Sequence, residues 1–223
     1  MRPFLVVDCN VDGRDWLGPY RDNLPALEVA TATEAAPSDP TPYAGVVLTG
    51  SAASAVDAPP WLAAVEALAG RALAEEVPVL GICFGHQVLG RVAGGPGAVV
   101  HRARAEVGWL PVRVLEPDPI FEGFESRFVS FVSHGDEVRP APGFRVLARS
   151  EACSVQALRV PGRPAWGVQF HLEMTREEED RTLAKRLRLD TTLDGDALRA
   201  ARVDCTPRMR RLFANFVRLA GAA

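Results

Sequence analysis

Cysteine and histidine are scarce in this 223-residue chain, four of each. Cys9, Cys83, Cys153 and Cys205 lie far apart, with no CxxC pair and no His/Cys cluster at metal-ligand spacing, which argues against a disulfide framework or a metal site. No apolar run reaches the roughly 18 residues that span a bilayer, since Arg91 and several glycines break the best candidate. An excess of positive charge is missing too. Lys+Arg 25 against Asp+Glu 28 leaves a net charge of −3, so a general nucleic-acid or acidic-membrane surface is not expected. Phe4-Leu5-Val6-Val7 is ended at once by Asp8, too short a stretch for a secretory signal. No P-loop and no GxGxxG follows a strand pattern, and Gly94-Gly95-Pro96-Gly97 comes after a helix rather than opening one. Neither an internal repeat nor a dividing linker is found. The expectation is a cytoplasmic protein with reduced thiols and no cofactor, one domain over residues 1–223, long enough to bury roughly 70% of its unfolded surface.

What is present begins with alternation. Pro3–Val7, Leu27–Thr33, Ala44–Thr49 and Val77–Ile82 read as strands. Trp61–Glu76, entered through Pro59-Pro60, and Phe84–Val92 read as helices. Continuous apolar strands between helices predict an α/β fold with a parallel sheet covered on both faces. The second half changes character. Val107–Leu115, Arg127–Ser133, Phe144–Ser150, Ser154–Val160 and Ala165–Phe170 are short strand candidates between Pro, Gly and Asp turns, suited to antiparallel additions. From Thr175 to residue 223 the chain returns to helix, over Thr175–Leu189, Asp194–Val203 and Pro207–Ala220. Thr175 with Glu178 forms a capping-box signature, and Asp194 reads as an N-cap. The stripe Met209, Leu212, Phe213, Phe216 and Val217 predicts core packing rather than a dimer face.

Charge is lopsided: residues 176–223 sum to +3 and the remainder to −6. Solvated helix faces with acidic starts and basic ends account for this. A docking surface for an acidic partner is the alternative.

The strongest chemical signal is Gly81-Ile82-Cys83-Phe84-Gly85, between an apolar strand and a helix. A nucleophile on a sharp strand-to-helix turn needs small residues two positions to either side, because the turn crowds backbone against it. The helix N-terminus there favours thiolate over thiol. Such a thiolate needs an imidazole and a group to orient it. His171 follows the strand Ala165–Phe170, and Glu173 lies two residues on, an extended spacing that puts both on one side. If the two strands are neighbours, Cys83 and His171 emerge at the same carboxyl edge, where α/β sheets bind ligands. Gly50-Ser51, after a buried strand, and the N–H of Phe84 are candidate oxyanion donors. His134, in Ser133-His134-Gly135-Asp136, is either a pocket residue or a turn histidine satisfied by Asp136. His86 on the helix and His101 in an expected loop receive no catalytic role.

Gly81-Ile82-Cys83-Phe84-Gly85-His86-Gln87, Ser133-His134-Gly135-Asp136 and Gly167-Val168-Gln169-Phe170-His171-Leu172-Glu173, in that order, resemble the class I (triad) glutamine amidotransferases. That resemblance, over about residues 4 to 190, implies a flavodoxin-like core and hydrolysis of the glutamine side-chain amide through a γ-glutamyl thioester. It implies Cys83 as nucleophile, His171 as base and then acid, and Glu173 as its orienter, with Gln87, Ser133 and His134 lining the substrate pocket. Thr49-Gly50-Ser51-Ala52 replaces the family's usual Gly-Gly-Pro, and Leu172 stands where proline is common. Both variants, with Glu106-Val107-Gly108-Trp109-Leu110-Pro111-Val112, are similar to free-standing members, among them γ-glutamyl peptidases and proteins resembling the amidotransferase part of GMP synthase. The implied ligand is glutamine or a γ-glutamyl small molecule. Three settings remain: ammonia passed to a separate synthase subunit, a free-standing γ-glutamyl peptidase, or a non-catalytic regulatory binding module.

Overall fold

A computed structural model describes residues 2–221; Met1, Ala222 and Ala223 lie outside the described residues. Nine strands form a single sheet in the order β2-β1-β3-β4-β9-β8-β7-β5-β6. Five of them run parallel: β2 (Leu27–Thr31), β1 (Phe4–Asp8), β3 (Gly45–Leu48), β4 (Val79–Ile82) and β9 (Ala165–Val168). The rest continue antiparallel through β8 (Ala157–Val160), β7 (Arg145–Arg149), β5 (Val99–Val114) and β6 (Arg127–Val138). This is the expected α/β architecture with antiparallel additions.

Strand alternation feeds two cores, one on each face of the sheet. Phe4, Val6, Val47, Leu80 and Ile82 pack with Tyr20 of α1 (Gly18–Asn23), Leu183 of α4 (Arg176–Leu189) and Phe213 and Phe216 of α6 (Thr206–Gly221). Leu5, Val7, Val46, Leu48 and Val79 pack with α2 (Leu62–Ala74) and α3 (Phe84–Gly94). Full burial of each such aliphatic or aromatic side chain contributes about 1.5–3 kcal/mol. The stripe on α6 is core: Leu212, Phe213 and Phe216 are buried, with Met209 and Val217 partly buried against them.

Several elements differ from the pattern reading; β8, expected from Ser154, begins at Ala157, and β9, expected to Phe170, ends at Val168. β5 begins at Val99, eight residues before the apolar run at Val107, because residues 100–105 alternate without a buried face. His101 is therefore on a strand and not in a loop. β6 continues past Ser133 to Val138, through residues whose polar side chains are used at the site. The six-residue α1 has no periodic signature long enough to detect. The helix α5 (Gly195–Ala200) stops three residues short of Val203, while Asp194 does cap it, its Oδ1 accepting from Asp196 and Ala197 N–H. The Thr175–Glu178 capping box at α4 is present in both directions.

Candidate active site

β4 and β9 are direct neighbours, pairing Ile82 with Val168, so the residues that follow each strand emerge together. Cys83 leaves β4 at φ 52°, ψ −98°, a left-handed conformation that side chains with a Cβ rarely adopt. The turn is held from both sides. Cys83 N–H donates to Val168 O at 2.8 Å and Gly85 N–H to Thr49 O at 3.1 Å. Its flanking glycines are sterically required: a Cβ on Gly81 would lie 2.3 Å from Gly85 O, and one on Gly85 would lie 2.3 Å from Leu48 O.

His171 lies just beyond β9, pinned by β6. Its N–H donates to Phe131 O at 2.8 Å, and its carbonyl accepts from Ser130 Oγ at 3.1 Å. The ring Nδ1 sits 2.7 Å from Glu173 Oε1, and both side chains are buried. Burial opposes charge on this ring, yet the Glu173 carboxylate and the facing Cys83 outweigh it and hold the imidazolium well above the ordinary histidine range. The other cysteines are different. Burial pushes Cys9 and Cys153 up to about 12 and Cys205 to about 11.

Gly50 closes the floor between these groups. A Cβ there would fall 3.2 Å from His171 Cε1 and 3.6 Å from Cys83 Cβ. The backbone N–H groups of Gly50, Ser51 and Phe84 donate to no acceptor among the described residues. Asp136 fixes the segment after Gly50, its Oδ2 accepting from Ser54 Oγ at 2.7 Å and Ala55 N–H at 3.0 Å.

Two connected cavities meet at this edge. The smaller, about 130 Å³, is lined by Cys83, Gln87, Ser133, His134 and Asp136. All three residues read as substrate-binding thus share one recess with Cys83. The larger, about 330 Å³, is lined by Tyr20, His171, Glu173 and the α4 side chains from Glu178 to Leu189. Ser51, Ala52, Ser133 and Arg186 line both. Arg186 Nε donates to Ser133 Oγ at 3.0 Å at that junction.

His134 lies on β6 rather than in a turn. It lines the recess, and its Nδ1 lies 2.8 Å from the Asp136 carbonyl, which only accepts, so Nδ1 carries a proton. Its Nε2 meets Glu106 Oε2 at 2.8 Å. Burial works against a charge on Glu106, but hydrogen bonds from His134 and Ser150 keep its carboxyl below the usual range. Glu106, His134 and Cys153 also place metal-ligand atoms within 4.8 Å of one another. Those atoms are committed to hydrogen bonds: Ser150 Oγ and Gln156 Nε2 donate to Glu106, and Cys153 Sγ donates to Val155 O. His86 is fully buried, lowered to about 3 by desolvation, and packs over Gly167 as a neutral core residue. His101 Nδ1 lies 2.8 Å from Asp136 Oδ1.

Sequence reasoning missed Gln169. Its Nε2 donates to Cys83 Sγ at 3.5 Å, and its Oε1 accepts from Gln87 Nε2 at 3.2 Å. A polar residue in the buried stretch Trp166–Phe170 was the available signal.

No described helix is long and apolar enough to cross a membrane. A family model described as glutamine amidotransferase class-I matches residues 26–190. A glutamine-hydrolyzing GMP synthase subunit from Pyrococcus abyssi is 42% identical over 103 residues, covering 46% of this chain and 54% of that protein. The corresponding subunit from Methanopyrus kandleri is 44% identical over 103 residues, with the same coverage. The chain thus spans about half the length of the curated relatives it matches. Among solved structures, a glutamine amidotransferase from Thermotoga maritima superposes at TM-score 0.77 with 23% identity, covering 99% of both chains. One from Methylobacillus flagellatus gives TM-score 0.77 at 21% identity, covering 98% of this chain and 95% of that one. These likenesses establish a shared fold.

Proposed function

Since the chain belongs to the class-I glutamine amidotransferases, we propose that it hydrolyses the γ-amide of a glutamine-type donor through Cys83, His171 and Glu173. The observation that carries this reading is the 2.7 Å contact between His171 Nδ1 and Glu173 Oε1 at the sheet edge where Cys83 leaves its strained turn. The Cys83 thiolate attacks the γ-carbonyl carbon, and the carbonyl oxygen takes up negative charge. The N–H groups of Phe84 and of Gly50 or Ser51 donate to that oxygen. Loss of one such donor costs about 100- to 1,000-fold in rate in comparable sites. As the tetrahedral species collapses, the C–N bond breaks and the His171 imidazolium gives its proton to the departing nitrogen. A γ-glutamyl thioester on Cys83 remains. Water then attacks it, His171 takes the water proton, the C–S bond breaks and glutamate leaves with the thiolate restored.

The recess with Gln87, Ser133 and His134 holds the γ-glutamyl part in this reading, and a separate acceptor protein is the setting in which free ammonia would be used. The test is covalent labelling with an electrophilic glutamine analogue, read by intact mass, beside glutamate release from glutamine. One adduct on wild type and none on Cys83→Ala supports the reading; an adduct that persists in Cys83→Ala, or no adduct and no glutamate on wild type, refutes it.

A further inference from the structure

We propose that the larger cavity binds an acidic group on the departing amine, so that the favoured donor is a γ-glutamyl amide whose leaving nitrogen carries an anionic substituent. This deepens the hydrolase reading and rests on it. The direction of the leaving group comes first. Cys83 lines only the smaller recess, whereas His171 and Glu173 line only the larger one. The leaving nitrogen must lie against the group that protonates it, so whatever that nitrogen carries extends into the His171 side.

Size is the second consideration. A water-sized molecule, which ammonia is, needs on the order of 10–15 Å³ of such space. The cavity offers about 330 Å³, within the range of small-molecule sites.

Charge selects the substituent. Five cations line the cavity, Arg14, Arg181, Lys185, Arg186 and Arg188, against three carboxylates. Glu173 faces the His171 ring through Oε1, while Glu178 and Asp12 accept from the neutral N–H groups of Thr175, Arg14 and Trp16 and keep their charge, so the lining carries two more cations than carboxylates. Arg181 pairs with Glu177, and Arg186 is held by Ser133. Arg14, Lys185 and Arg188 form no ion pair among the described residues. Three cations without an ion pair in the lining of one cavity, which His171 also lines, match a carboxylate-type anion. The net positive charge of residues 176–223 has this cavity wall as one of its places.

The experiment compares γ-glutamylglycine, γ-glutamylglycinamide and glutamine by kcat/KM for glutamate release, at low and at high ionic strength. Wild type should favour the acid over its uncharged amide by about tenfold or more, the worth of a charge-assisted contact. Added salt should shrink that ratio, since the cations are exposed. Lys185→Gln combined with Arg188→Gln, both on the exposed face of α4, should bring it close to unity. Equal handling of acid and amide by wild type overturns the inference, as does a preference that survives in the double variant. Labelling of Cys83 by the glutamine analogue without turnover of γ-glutamylglycine overturns the inference alone. Absence of both labelling and turnover overturns the hydrolase reading beneath it.

Discussion

Gln169 Nε2 donates to Cys83 Sγ at 3.5 Å from a side chain with no exposed surface. The amide cannot drift, because its Oε1 accepts from Gln87 Nε2, which also donates to the Asp136 carbonyl at 3.2 Å. An N–H aimed at the sulfur fixes the direction in which it points. Gln169→Leu should therefore slow Cys83 alkylation by about tenfold, the usual worth of a well-placed hydrogen bond to a reacting group. Iodoacetamide kinetics at one fixed pH check this. A purely structural role would change melting temperature and leave the alkylation rate in place.

The His171–Glu173 pair sets a pH dependence. Release of the amine needs the imidazolium, and a raised histidine pKa places the alkaline limb of kcat/KM above the ordinary value of 6.5. Glu173→Gln should bring that limb down toward 6.5, measured with glutamine over pH 5 to 9. Stability carries the same sign. A pKa raised on folding stabilises fully below the unfolded value, and the contribution is lost as pH rises through the folded one. Thermal melts should show the gap between wild type and Glu173→Gln widest between about pH 5 and 6.5 and narrowing above.

Gly85→Ala should destabilise the fold by about 3 kcal/mol or more, because its Cβ would lie 2.3 Å from a backbone oxygen of β3 that cannot swing aside. Urea unfolding midpoints measure it. Gly97→Ala, where a Cβ meets nothing within 4 Å, should stay within about 0.5 kcal/mol of wild type.

Thiol reactivity should be confined to one position. With Cys9 and Cys153 at about 12 and Cys205 at about 11, brief alkylation at pH 7.5 should modify Cys83 and spare the other three. Peptide mapping after partial modification would expose any error.

Local chemistry makes part of this site legible in sequence. Two glycines flanking Cys83 and the apolar strands before Cys83 and His171 place each residue at the carboxyl end of a strand, and the pairing of β4 with β9, which no local pattern encodes, brings the two ends together. Glu106, Asp136 and Arg186 are opaque for the same reason. Glu106 meets His134 only through the irregular β5–β6 register between His101 and Glu106, which no local pattern encodes. Asp136 acts on Ser54, 82 residues away in sequence. Arg186 reaches Ser133 only once α4 is laid over β6. His101 reads as loop in the sequence because a strand that buries little surface lacks the apolar alternation that betrays one.

The bridge between Phe131 and His171 ties the reactive ring to the outermost strand of the sheet rather than to its middle. β6 is nevertheless buried over most of its length, so the border that holds the His171 backbone is itself packed, and in the proposed reading a disturbance of β6 reaches the imidazole without passing through the central strands.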